Sequence, residues 1–134
     1  MDTQTEALFA LHRYFISADC MRVHFEGVVR GRKEYREVDA RLYMSQWYGN
    51  LYVVVEGWQD LGLTDPDIDK LLESSNVDLL RRFRNGVFHF QRDYYDKRFV
   101  EFLTDGEDVV GWVRDLNDHL GRFLLHRMRE INEG

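Results

Sequence analysis

The chain has 134 residues, which is enough for one domain with a sizeable core. Hydrophobic residues make up 44% and charged residues 31%, which is an ordinary globular composition, and a single proline with ten glycines argues against a loop-rich or all-β chain. The net charge of −6 argues against a wholly basic nucleic-acid binder, and the lone Cys20 excludes an internal disulfide and a cysteine-rich zinc site.

We expect a cytoplasmic protein without a membrane partner. The first residues, Met1 to Gln4, are polar and acidic rather than basic and then apolar, so no signal peptide is predicted. The longest apolar run covers residues 51–55, which is far too short to cross a bilayer.

Apolar residues recur with helical spacing along the whole chain. The predicted helices cover residues 3–29, 35–61, 66–73, 77 to about 91, 94–103 and 107–131. Between them, the pattern is broken at Gly31-Arg32-Lys33, Gly62, Arg92-Asp93 and Thr104-Asp105-Gly106, whereas Thr64-Asp65-Pro66 and Ser74-Ser75-Asn76 are predicted helix caps. The sequence therefore predicts one all-α domain over residues 1–134, an antiparallel helical bundle of about four longer helices plus short ones.

The fourth predicted helix carries the densest set of reactive side chains, Arg84-Asn85-Gly86-Val87-Phe88-His89. A helical projection predicts a core face of Leu79, Leu80, Phe83, Val87 and Phe90. It predicts an outward face of Arg81, Arg82, Arg84, Asn85, Phe88 and His89. An aromatic ring is costly to leave in water, so Phe88 predicts a dimer interface at which a second copy closes this shallow cradle.

Charge is unevenly distributed along the chain. Residues 78–98 hold six cations and three anions, a net charge of +3, so the rest of the chain carries −9. A local basic patch on an acidic body can still contact an anion.

At these residues the chain resembles the HEPN superfamily. The family signature is an arginine, four to six residues and a histidine, with a polar residue commonly following the arginine; here it is Arg84, then Asn85-Gly86-Val87-Phe88, then His89. The resemblance implies a small helical bundle and a metal-independent endoribonuclease that acts as a homodimer, with the two motifs meeting at the interface. Many members are toxins of toxin–antitoxin or phage-defence systems, so an antitoxin or regulatory protein is a further implied partner.

RNA cleavage without a metal or another cofactor suits these residue types. It needs a base for the 2′-hydroxyl proton and an acid for the leaving 5′-oxygen, and the imidazole of His89 can serve in either role. Arg84 is predicted to clamp the scissile phosphate, and Asn85 to orient His89 or the phosphate. Flanking phosphates of the RNA substrate are assigned to Arg81, Arg82 and Arg92.

Structural alternatives remain open for the same residues. Arg84 can pair with an acid such as Glu56 or Asp93, and His89 can cap a neighbouring carbonyl group. A catalytically inactive HEPN-like module that binds protein or RNA, or mediates dimerisation, is the second hypothesis, and a plain structural helical dimer is the third.

Other candidate sites have less support in the sequence. Asp115, His119 and His126 lie on one face of the last predicted helix, but no fourth metal ligand is evident. Cys20 is expected to be a small core residue. Trp47, Tyr48, Tyr52 and Trp58 can stack on nucleobases, but aromatic residues at helical spacing more often belong to the core.

Overall fold

The computed structural model describes residues 1–31 and 37–134. Within these ranges the fold is all-helical, as predicted, with no strand. The helices are α1 (Thr3–Gly31), α2 (Glu37–Asp60), α3 (Pro66–Leu71), α4 (Asn76–Phe88), α5 (Lys97–Asp105) and α6 (Val109–Glu133). The predicted break at Arg32 and Lys33 and the predicted helix start at residue 35 lie outside the described residues. None of the described helices is long and apolar enough to cross a membrane.

Three long helices form the body of the bundle. The ring of Phe25 in α1 packs on Trp47 in α2, with centroids 5.9 Å apart, whereas Leu11 packs on Gly57. Earlier residues of α1 therefore meet later residues of α2, so the two helices run antiparallel. The same reversal relates α1 to α6, because Asp19 bonds to Asn117 while Glu26 pairs with Arg114.

A second, smaller hairpin of α4 and α5 packs against α2. Tyr48 of α2 stacks obliquely on Phe83 of α4, with ring centroids 5.8 Å apart. Phe83 in turn contacts Phe99 and Phe102 of α5 at 6.0 and 5.8 Å. Helix α5 begins at Lys97 rather than at residue 94, because the Asp96 carboxylate caps it by accepting a hydrogen bond from the backbone N–H of Arg98.

The core lies where α2 meets the other helices. Helix α2 is buried on more than one side, as its apolar pattern predicts. Its fully buried side chains include Trp47, Leu51, Val54 and Trp58, each less than 3% exposed. Burial of one such large apolar side chain stabilises the fold by roughly 1.5–3 kcal/mol. All four base-stacking candidates belong to the core and are at most 6% exposed: Trp47, Tyr48, Tyr52 and Trp58.

The buried polar residues of the described chain are Asn76 and Asn117. The side-chain amide of Asn76 donates to the carbonyl oxygen of Glu107 at 2.8 Å and accepts from its N–H at 2.9 Å, tying the start of α4 to the start of α6. The cap predicted at Ser74-Ser75-Asn76 is partly right, because the hydroxyl of Ser74 accepts a hydrogen bond from the N–H of Asn76 at 3.0 Å, whereas Ser75 makes no side-chain cap. The Asp65 cap of α3 is confirmed, because its carboxylate accepts from the N–H groups of Asp67 and Ile68.

Candidate functional site

The helix that carries Arg84 ends one residue before His89. His89 has an extended backbone, with φ −121° and ψ 132°, and its N–H makes the last helical bond to the carbonyl oxygen of Asn85 at 3.1 Å. The prediction that His89 and Phe90 continue the helix is wrong. Phe90 was assigned to the core face, yet it is 90% exposed.

Side-chain hydrogen bonds stabilise this helix end. Gln91 donates from Nε2 to the carbonyl oxygen of His89 at 2.9 Å, and Arg98 donates to Oε1 of Gln91 at 2.8 Å. A carbonyl group that would lack a helical partner is thereby satisfied from the side. The chain can then turn back into α5, which packs against Gly86.

Arg84 is anchored by three neighbours. Its Nε donates to Oδ1 of Asn85 at 2.9 Å, and a terminal nitrogen lies 3.4 Å from a carboxylate oxygen of Glu56. The guanidinium carbon also lies 4.8 Å from the centroid of the Tyr52 ring, which is a cation–π contact. The expectation that Arg84 projects outward is therefore wrong, because α2 covers this face and leaves the side chain 18% exposed. The alternative of a Glu56 pair describes the observed contact.

Phe88 also packs on α2. A Cβ built on Gly49 would lie only 3.1 Å from the ring of Phe88, so the ring lies directly over this glycine. Phe88 remains 42% exposed. Part of its apolar surface is thus covered within the chain, and the rest faces solvent beside His89.

The three remaining arginines of the predicted site have different surroundings. Arg81 pairs with Asp78 at 2.7 Å, and this hydrogen bond is the main cause that raises the pKa of Arg81. Arg82 pairs with Glu101 of α5 at 3.0 Å, and its buried Nε makes no hydrogen bond with a described residue. Arg92 is exposed and makes no ion pair within the described ranges. Of the three, Arg92 has the charge most available to a ligand.

The imidazole of His89 is exposed and makes no side-chain hydrogen bond to any residue that the structure describes. The predicted catalytic residues thus form two groups. Arg84 and Asn85 are in direct contact and Arg84 is held against α2, whereas His89 follows at the helix end and is exposed. Burial raises the pKa of Tyr52, the residue whose ring lies under the guanidinium of Arg84.

The weaker candidates do not form a site in the described chain. No group of three His, Cys, Asp or Glu side chains there is arranged to hold a metal ion. His126 instead pairs with Glu130 at 2.6 Å. Cys20 is exposed rather than in the core, because α1 buries only the stripe of Leu8, Leu11, Phe15 and Ala18.

Sequence reasoning missed the aromatic residues between α4 and α5. Tyr94 and Tyr95 were assigned to a helix, but they lie in the preceding loop and are 72% and 76% exposed. The sequence does carry a signal for the start of α5, because Asp96 is a favourable capping residue and lies immediately before the apolar pattern of that helix.

No family model matches the chain, and no curated protein or solved structure matches it.

Proposed function

We propose that the protein is a cytoplasmic, metal-independent endoribonuclease of the HEPN type that acts as a homodimer. The observation that carries the proposal is the exposed imidazole of His89, free of side-chain hydrogen bonds to described residues, directly after a helix that holds Arg84 and Asn85 together. A proton-transfer group needs an accessible ring, and a phosphate clamp needs a fixed guanidinium.

The chemistry uses the 2′-hydroxyl of RNA as the nucleophile. One imidazole takes the 2′-hydroxyl proton while the 2′-oxygen attacks the adjacent phosphorus, and a second imidazole protonates the 5′-oxygen as its bond to phosphorus breaks. The products are a 2′,3′-cyclic phosphate and a 5′-hydroxyl end. Because each chain supplies one His89, the two roles require two copies.

Arg84 stabilises the charge that develops on the phosphate oxygens. Asn85 occupies Nε and Glu56 occupies one terminal nitrogen, so other N–H groups of the guanidinium remain for a phosphate. The contact with Asn85 holds the guanidinium plane in place, and preorganised donors stabilise a transition state more than mobile ones do. Arg92 contributes a further phosphate contact.

A second candidate function is a catalytically inactive HEPN-like module that binds RNA or protein. The contacts of Arg84 with Glu56 and Tyr52 favour it, because they give this arginine a structural role in joining α4 to α2. Under this alternative Arg84 is retained for helix packing, and His89 is dispensable.

The test is RNA cleavage in EDTA by the wild type, Arg84→Ala, His89→Ala and the double variant. Matched controls are His126→Ala and Arg129→Ala, which remove an exposed imidazole and an exposed guanidinium on α6. Each variant is melted to show that it folds, and product ends are analysed for cyclic phosphate. Cleavage lost in His89→Ala and kept in both controls supports the nuclease. Equal cleavage by wild type and His89→Ala refutes it, and a dimer without activity on several RNAs favours the binding module.

The resemblance also suggests a toxin or phage-defence role with an antitoxin or other protein partner. Expression in a bacterial host should then arrest growth, and His89→Ala should relieve the arrest. If wild type and His89→Ala impair growth equally, toxicity does not depend on RNA cleavage by this site.

A further inference from the structure

Three large aromatic side chains project into solvent from the loop that follows His89. Phe90 is 90% exposed, Tyr94 72% and Tyr95 76%. The rings of Tyr94 and Tyr95 are in edge-to-face contact, with centroids 5.0 Å apart. Exposed apolar surface of this extent in one segment is typical of a binding site.

A cavity of about 460 Å³ opens beside these tyrosines. Buried Phe83 of α4 lines it, together with apolar side chains of α5 and the two tyrosine rings. The volume falls within the range of roughly 300–1,000 Å³ that is usual for small-molecule sites, and the lining combines aromatic and aliphatic side chains.

A few polar groups reach the same cavity from α2. Arg41 lines it while bound to Glu37 at 2.7 Å. Ser45 lines it as well, and its hydroxyl makes no hydrogen bond to a residue in the described ranges. A flat ligand with a polar edge fits this combination of aromatic side chains and hydrogen-bonding groups.

Charge favours a polyanion on this side of the molecule. Arg92 and Lys97 flank the two tyrosines, and neither makes an ion pair with a described residue. They belong to the segment 78–98 with its net charge of +3, whereas the rest of the chain carries −9. Two carboxylates lie in the same loop, but Asp93 accepts a hydrogen bond from the backbone N–H of Tyr95, and Asp96 pairs with Arg98 and caps α5. Arg92 and Lys97 are therefore the cations of this loop that a phosphate backbone can contact.

We infer that this cavity, flanked by Tyr94 and Tyr95, binds an unpaired nucleobase of an RNA strand whose phosphates contact Arg92 and Lys97. Tyr94 lies five residues from His89, so the two are at most about 18 Å apart along an extended chain. The inference rests on the proposed function in taking RNA as the ligand. It adds that the protein prefers RNA with an unpaired base, because the faces of bases in an RNA duplex are already stacked on neighbouring bases.

The test is binding of a fluorescent 12-nucleotide 2′-O-methyl RNA, which keeps bases and phosphates but lacks the 2′-hydroxyl needed for cleavage. The second probe is the same oligonucleotide with abasic residues at its centre. Wild type, Tyr94→Ala and Tyr95→Ala are compared by fluorescence anisotropy, with Tyr94→Phe and Tyr95→Phe as controls that retain the rings. Loss of one ring should weaken binding of the intact probe by at least about fivefold. The abasic probe should bind more weakly to wild type and respond little to either alanine substitution.

Equal binding of the intact and abasic probes by wild type overturns the inference, even if the cleavage assay establishes a nuclease. Base-dependent binding that requires the rings supports it, even if no RNA is cleaved and the proposed activity fails. If the alanine variants instead convert a dimer into a monomer and bind both probes as wild type does, the rings form an interface between copies and the inference is wrong.

Discussion

The guanidinium of Arg84 lies over the ring of Tyr52, 4.8 Å from its centroid, and is shared with Glu56 one helical turn further along α2. The arginine of the proposed active site therefore also joins two helices. Substitution of Arg84 alone removes both roles together, so its partners must be varied separately.

Glu56→Gln tests the structural role of Arg84 separately from its proposed role in RNA cleavage, because it removes the ion pair but keeps the guanidinium. Glu56 is half-exposed, so the lost ion pair should lower the free energy of unfolding by less than about 1 kcal/mol. Cleavage should be retained or increased, because the guanidinium loses a competing carboxylate. The measurement is urea denaturation and cleavage on the same preparations. A loss of cleavage as complete as in Arg84→Ala would show that Glu56 takes part in the activity.

Asn117→Leu should be strongly destabilising. Trp47 donates its indole N–H to Oδ1 of Asn117 at 3.0 Å, and Asn117 donates to the carboxylate of Asp19 at 3.0 Å. Leucine leaves the buried indole N–H without an acceptor, so a loss of about 2–4 kcal/mol is expected in urea denaturation. In the matched control Asn50→Leu, only one local hydrogen bond is lost and the change should stay below about 1 kcal/mol. Equal effects of the two substitutions would contradict a special role for this network.

The hydrogen bonds of Asp19 predict that part of the free energy of unfolding is lost at acidic pH. Burial acts to raise the pKa of Asp19, but hydrogen bonds from Arg22 and Asn117 and the charge of Arg22 outweigh it and hold the pKa below 3.8. A carboxylate with a lowered folded-state pKa stabilises the fold above its unfolded value of about 3.9, and this contribution is lost as the pH falls through the folded value. The stability difference between wild type and Asp19→Asn should therefore shrink below about pH 4. Urea denaturation from pH 7 to pH 3 measures it, and a constant difference would contradict it.

The helices were predictable from the sequence because their buried stripes are regular. In α6, helical spacing in the sequence places five apolar residues on one face, and all five are buried: Val109, Val113, Leu116, Leu120 and Leu124. A periodic pattern of this kind needs no knowledge of the partner helix.

The end of α4 was not predictable in the same way. Helical spacing continues through His89 and Phe90, but Gln91 donates a hydrogen bond to the carbonyl oxygen of His89 and itself accepts one from Arg98, so the chain can turn. The role of Asn76 was missed for a related reason, since its partner Glu107 lies 31 residues away. Both outcomes depend on side-chain hydrogen bonds that the spacing of apolar residues does not encode.

Gly86, inside the predicted motif, is needed for packing. A Cβ at this position would lie 3.2 Å from the ring of Phe99 and 3.3 Å from Cβ of Arg98, so a branched side chain would force α5 away from α4. Gly86→Val should lower the free energy of unfolding by about 1–3 kcal/mol. This loss should occur although valine has the better helix propensity. Gly27→Val in α1 is the matched control, because nothing lies within 4 Å of a Cβ there.

Since Phe99 also lines the cavity beside Tyr94 and Tyr95, Gly86→Val should weaken binding of the intact 2′-O-methyl RNA as well. Chemical denaturation and anisotropy test both expectations, and a variant as stable as Gly27→Val would show that α4 and α5 do not pack this closely in solution.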